Sequence, residues 1–107
     1  MNDRNEKVAN YIKELTASFL GRENNQTSLI TVTACTTSRD LKRVTIYITV
    51  LPEDKEEEAL LFARRKRSEI RENLKKVLQI KNIPFIEIEI DQGEKNRQKI
   101  DELLRNG

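Results

Sequence analysis

The sequence predicts an α+β fold in two layers: a three-stranded sheet covered on one side by helices. Two observations carry this. Three runs alternate apolar and polar residues with a period of two, and the stretches around them repeat apolar residues at helical spacing. Each strand therefore has one apolar face, which one layer of helices covers. The length, 107 residues, suits one domain (1–107) with one modest core.

Residues 3–20 read as the first helix, because Val8, Ile12, Leu15 and Phe19 fall on one face. Asp3 is expected to cap its start, and Gly21 to supply a left-handed residue past its end. A polar loop, 22–26, follows. Residues 28–37 read as a strand, with Ile30, Val32 and Ala34 on one side and Thr31, Thr33 and Cys35 on the other. Ser38-Arg39-Asp40 makes a turn. Residues 42–51 alternate Val44, Ile46, Ile48 and Val50 with Arg43, Thr45, Tyr47 and Thr49, as the hairpin partner of the first strand. Pro52 ends this strand. The acidic cluster 53–58 opens a helix at the end where the helix dipole favours negative charge, and Ala59, Phe62 and Ala63 continue it. Ile70, Leu74, Val77 and Leu78 mark a second helical face, with Lys66-Arg67 breaking the apolar stripe between the two. Ser68 stands where an N-cap would, followed by Glu69. The pattern gives two helices, or one kinked helix, with the joint at Lys66–Ser68. Ile83-Pro84 begins the third strand, where Ile86, Ile88 and Ile90 alternate with Phe85, Glu87 and Glu89. Asp91-Gln92-Gly93 then turns into a short C-terminal helix carrying Ile100, Leu103 and Leu104.

Composition narrows the function. There is no histidine and one cysteine, so a Ser-His-Asp triad, a Cys-His dyad and a His/Cys zinc site are excluded. No disulfide can form within the chain, no apolar run approaches the ~20 residues of a membrane span, and the polar N-terminus is no signal peptide. The expectation is a cytoplasmic, non-enzymatic protein without cofactor or metal and without a membrane partner, folding as a monomer.

Charge is unevenly placed. The chain is net +2, yet residues 59–82 carry eight basic residues against Glu69 and Glu72, and residues 53–58 hold five acids against Lys55. A basic block in a near-neutral chain suits a polyanion-facing surface. It equally suits a solvated helix face, since Lys and Arg are good helix formers.

The order α-β-β-α-α-β is the plan of the type II KH domain, and the local sequence is closer still to one family. The carriers are Val8-Ala9-Asn10-Tyr11-Ile12, Ile30-Thr31-Val32-Thr33, Ser38-Arg39-Asp40-Leu41, Val44-Thr45-Ile46-Tyr47-Ile48-Thr49-Val50 and the stretch from Ile70-Arg71 to Ile83-Pro84. In their order and spacing, from about Lys7 to Leu104, the chain resembles ribosome-binding factor A, a bacterial assembly factor of the small ribosomal subunit. Ordinary KH domains hold RNA on a GXXG loop. This chain has glycine only at 21, 93 and 107, and the resembled family replaces that loop with a helix–kink–helix marked Ala-x-Gly. The matching positions here are Lys66-Arg67-Ser68, which adds positive charge at the elbow. The resemblance implies binding to 16S rRNA and the immature 30S subunit, support of rRNA processing, and assembly GTPases as further candidate partners. The rival reading is a KH-like interaction module whose basic face meets an acidic protein.

Arg64, Arg67, Arg71 and Lys75 line one helical stripe, widened by Arg65, Lys66 and Lys76. With Arg43 at the hairpin turn, these are the expected RNA-binding residues, neutralising phosphates. Arg39, Lys42 and Arg43 read equally as charges that protect a strand edge. Tyr47 is the aromatic on the polar face of its strand, where it could stack a base. Cys35 reads as a semi-buried strand residue and Asp40 as a turn-former. Glu87, Glu89 and Asp91 look superficially like a metal site but read as solvated charge.

Overall fold

The computed structural model describes residues 3–22, 28–78 and 82–106. The elements are α1 (Asp3–Arg22), β1 (Leu29–Thr37), β2 (Arg43–Leu51), a 3₁₀ turn at Glu53–Lys55, α2 (Glu56–Arg65), α3 (Arg67–Leu78), β3 (Phe85–Ile90) and α4 (Gln92–Asn106). The sheet order is β1-β2-β3. β1 and β2 pair antiparallel, as a hairpin allows, whereas β3 returns parallel to β2 through the α2–α3 crossover.

The central strand dictates the core. Val44, Ile46 and Ile48 are wholly buried and Val50 nearly so. Ile86 and Ile88 of β3 extend this face, and Ile12, Phe19 and Leu20 of α1 with Ile70 and Leu74 of α3 cover it. Burying each of these aliphatic side chains contributes about 1.5–3 kcal/mol. Ala59 and Ala63 put only methyl groups between α2 and the sheet, both fully buried, so α2 lies close to β2 and β3.

Several sequence expectations are corrected. Gly21 lies inside α1, and the only positive φ among the described residues is that of Leu41 (59°) in the β1–β2 turn. The side chain of Asp3, the expected cap, and the expected loop residues 23–26 lie outside the described residues. Ser68 is the second residue of α3 rather than its cap. Val77 is half-exposed, because Ile70, Leu74 and Leu78 already fill the face toward the sheet. α4 is 15 residues long rather than short. Its Ile100, Leu103 and Leu104 stay exposed, and its first turns are held instead by charge: Lys95 Nζ sits 2.9 Å from Glu53 and 3.0 Å from Glu56.

Strict alternation also fails in β1. The register slips between Val32, opposite Ile48, and Ala34, opposite Tyr47. Thr33 is the extra residue of a β-bulge. Beyond it Cys35, opposite Ile46, joins Ile30 and Val32 against the core, while Ala34 shares the outer face with Tyr47, the reverse of the expected phase. Burial pushes the Cys35 thiol up to about 11, so it stays protonated at neutral pH. The bulged Thr33 hydroxyl donates to Asp91 Oδ2 at 2.6 Å.

Candidate nucleic-acid interface

The elbow between α2 and α3 is a single residue. Lys66 lies at φ −87°, ψ −1°, its N–H reaching back to Ala63 O at 3.1 Å while its own carbonyl accepts from Ile70 N–H at 3.0 Å. These angles are open to any L-residue, and Ser68, at the position where the resembled family places glycine, lies in the first turn of α3 without a positive φ, so no glycine is needed there. Lys66 Nζ lies 5.6 Å from the Phe62 ring centroid and 3.5 Å from Glu69, which fixes its side chain over the joint.

Two of the expected RNA-binding arginines hold the fold. Arg64 donates through Nε and Nη2 to the Ile88 carbonyl at 3.3 and 3.1 Å, and its Nη2 lies 3.6 Å from Glu89. It thereby ties α2 to β3, an edge strand whose outer carbonyls otherwise face solvent. Arg67 Nε donates to Arg64 O at 3.0 Å, adding a charged donor to a carbonyl that also accepts a backbone N–H at the end of α2. Arg71 is exposed and, among the described residues, makes one bond, to Ile83 O at 3.3 Å. Arg65, Lys75 and Lys76 are exposed and carry no hydrogen bond or ion pair among the described residues. The uniform basic stripe therefore divides into cations committed to the fold and cations open to a ligand.

Arg71 and Lys75 line a groove. Ser68, Arg71, Glu72 and Lys75 of α3 face Asn82 and Ile83, on the segment entering β3, across about 450 Å³. The groove is lined by hydroxyl, amide, guanidinium and ammonium donors, with one carboxylate and one aliphatic side chain. That set suits a phosphodiester backbone. Asn82 was not singled out by sequence, and Ser68 only as an N-cap and elbow residue, because their place in the groove depends on α3 and the β3 approach meeting in space.

The β1–β2 turn presents the second basic group. Ser38 Oγ donates to Asp40 Oδ1 at 2.7 Å, and Lys42 N–H to the same oxygen at 3.1 Å. These bonds, the Ser38 hydroxyl first, hold the Asp40 carboxyl below its usual range. Asp40 is thus the turn-former expected. Arg39, Lys42 and Arg43 project from this turn as exposed side chains. Arg43 lies only 4.0 Å from Glu87, an ion pair of little strength at this exposure. Tyr47 is half-buried in mid-sheet beside Ala34 and Glu89, whereas Phe85 is 51% exposed at the start of β3. The signal for Phe85 lay in the strand's own phase: with Ile86, Ile88 and Ile90 inward, an aromatic at 85 must face out. Glu87 and Glu89 pair with Arg43 and Arg64, and Asp91 caps α4 by accepting from Glu94 N–H at 2.9 Å. The three acids are thus divided among separate structural partners, and among the described residues no group of acids, cysteines or histidines is set to hold a metal.

Comparison with known proteins agrees with this geometry. Ribosome-binding factor A of Geobacter sulfurreducens is 32% identical over 110 residues, covering 98% of this chain and 92% of that relative. Ribosome-binding factor A of Pelobacter propionicus is 31% identical over 108 residues, covering 98% and 88%. Among solved structures, ribosome-binding factor A from Thermus thermophilus superposes with a TM-score of 0.71 at 21% identity, over 80% of this chain and 93% of that one. A homology model of the Thermus thermophilus factor, fitted into a cryo-electron microscopy map of its complex with the 30S subunit, gives 0.69 at 21% identity, over 80% and 93%. A family model described as ribosome-binding factor A matches residues 4–104. An element order of α-β-β-α-α-β, a kinked helix pair in place of a glycine loop, and a sequence match over nearly the whole length thus coincide, and the chain belongs to the ribosome-binding factor A family.

Proposed function

We propose that this protein is a non-catalytic assembly factor of the small ribosomal subunit. It binds the immature 30S particle, contacts 16S rRNA near its maturing ends, supports rRNA processing and leaves the mature particle. Family membership supports the choice of target. The observation that carries the mode of binding is the set of exposed cations on α2 and α3: Arg65, Lys75 and Lys76, unengaged among the described residues, and Arg71, which with Lys75 lines the α3 groove. They neutralise phosphates and release counterions, while the rigid elbow fixes their spacing. The protein then acts by occupancy, holding one rRNA conformation through backbone contacts until processing is complete.

Co-sedimentation with immature and mature subunits tests this across a salt series. Neutralising about five phosphates gives a log–log slope of roughly −3 to −4. Changing Arg65, Lys75 and Lys76 together to Ala is expected to lower affinity for the immature subunit about tenfold or more, about 1.4 kcal/mol, with melting unchanged. A flat salt response, or equal retention on mature and immature particles, would overturn the proposal.

A further inference from the structure

We propose that Phe85 is a stacking platform for one unpaired RNA base, placed at the end of the basic surface nearest the β1–β2 turn; this rests on the RNA-binding reading above. Phe85 is 51% exposed, although it lies at the edge of a well-packed sheet. Its backbone is fixed on the side facing β2. Its N–H donates to the Lys42 carbonyl at 2.8 Å, and in the β2–β3 register it stands opposite Arg43. An aromatic ring held out to solvent on a rigid strand loses little freedom on meeting a flat partner.

Its surroundings specify the partner. The exposed Arg39, Lys42 and Arg43 come from the turn against which the Phe85 backbone is bonded. Two residues before it, the Ile83 carbonyl accepts from Arg71, in the wall of the α3 groove. Of the acids on this surface, Asp40 is engaged within its own turn and Glu87 beside Arg43, while Glu72 stands farther off, among the cations of the α3 groove. An apolar protein surface has no use for the exposed cations of the neighbouring turn, whereas a nucleotide has a π-face for the ring and phosphates for the cations. Tyr47 cannot share the work. It lies four residues along β2 from Arg43, about 13 Å away, and is half-buried. The platform therefore takes a single base, of any identity, from an unpaired segment, while paired RNA meets only the cations.

The chain has two tyrosines but no tryptophan, so Phe85→Trp places its one indole, excited selectively at long wavelength, at the site. Wild type, Phe85→Ala, Phe85→Leu and Phe85→Trp are titrated with purified immature 30S subunits. Stacking predicts that Ala and Leu each weaken binding about fivefold or more. It also predicts that Trp retains affinity with its emission quenched, and that the salt slope stays the same in all four. If Leu binds as wild type does, the occupant is an apolar protein side chain and the stacking proposal fails. If Ala binds as wild type does, or the Trp emission does not move at saturation, Phe85 faces no ligand. Failure of the wild type itself to bind removes the RNA reading and this inference together, whereas loss of only the Phe85 effects leaves the RNA reading standing.

Discussion

Asp91 joins three elements, two through its carboxylate and one through its backbone N–H. Oδ2 accepts from the bulged Thr33 hydroxyl on β1, Oδ1 accepts from Glu94 N–H at the start of α4, and the residue's own N–H donates to Ile48 O on β2 at 2.8 Å. The Thr33 bond first, then the Glu94 amide, hold the Asp91 carboxyl below the usual range. The folded state thus favours the ionised form. The stability it contributes is fully present above the ordinary aspartate range and is lost as pH falls through that range toward the lowered value. Asp91→Ala is expected to cost about 1–2 kcal/mol at pH 7, from the lost cap and the lost hydroxyl bond. The deficit should shrink toward pH 3, where wild type loses the same interactions. Urea titrations at the two pH values measure it, and an equal deficit at both would exclude an ionised Asp91 as the cause. Acid sensitivity persists in the variant, because Asp40, Glu53 and Glu94 are also held low by their own partners.

At the level of elements, the strands and helices were legible because their periods differ and each has one apolar face. The phases of β2 and β3 follow directly from Val44 to Val50 and from Ile86 to Ile90. The β1 bulge was not legible. A pattern of period two places Ala34 inward, and only pairing against β2 shows that Thr33 is supernumerary. The elbow was located to within a residue by the break in the apolar stripe, but the work of its arginines was hidden, since a backbone carbonyl on β3 or α2 leaves no trace in sequence. Replacing Arg64, Arg67 and Arg71 together, which the stripe alone recommends as a silent way to remove phosphate contacts, is therefore not silent. Arg64→Ala is expected to cost about 1–2 kcal/mol, because the Ile88 carbonyl loses a charged donor and Glu89 its partner. Lys75→Ala should stay within about 0.5 kcal/mol. Thermal melts of the two single variants decide this, and equal stabilities would mean that Arg64 is as free as Lys75.

Across the whole molecule, charge runs from acid to base along α2. Glu53, Asp54, Glu56, Glu57 and Glu58 lie at one end, and Arg64 and Arg65 lie at the other, about 15 Å away. The acidic end is where α4 attaches: Lys95 reaches Glu53 and Glu56, and Lys99 lies 3.4 Å from Glu53. A small cavity of about 110 Å³ separates these residues from Thr49 and Leu51 of β2. The radius of gyration, 14.8 Å, exceeds the roughly 13 Å of a compact chain this long. A helix held by ion pairs and one cap, with its apolar side chains in water, opens without asking the core to open. In the language of amide exchange, α4 is a separate unit with its own, smaller opening free energy. Raising the salt from about 0.1 to about 1 M shortens the screening length from ~10 to ~3 Å. Deuterium uptake by the Gln98–Leu104 amides should then accelerate, while the Ile46 and Ile48 amides continue to exchange only through global unfolding. Uptake in α4 that ignores salt would show that something other than charge holds it. If charge does hold it, ionic strength sets how long this helix stays closed, independently of how stable the rest of the protein is.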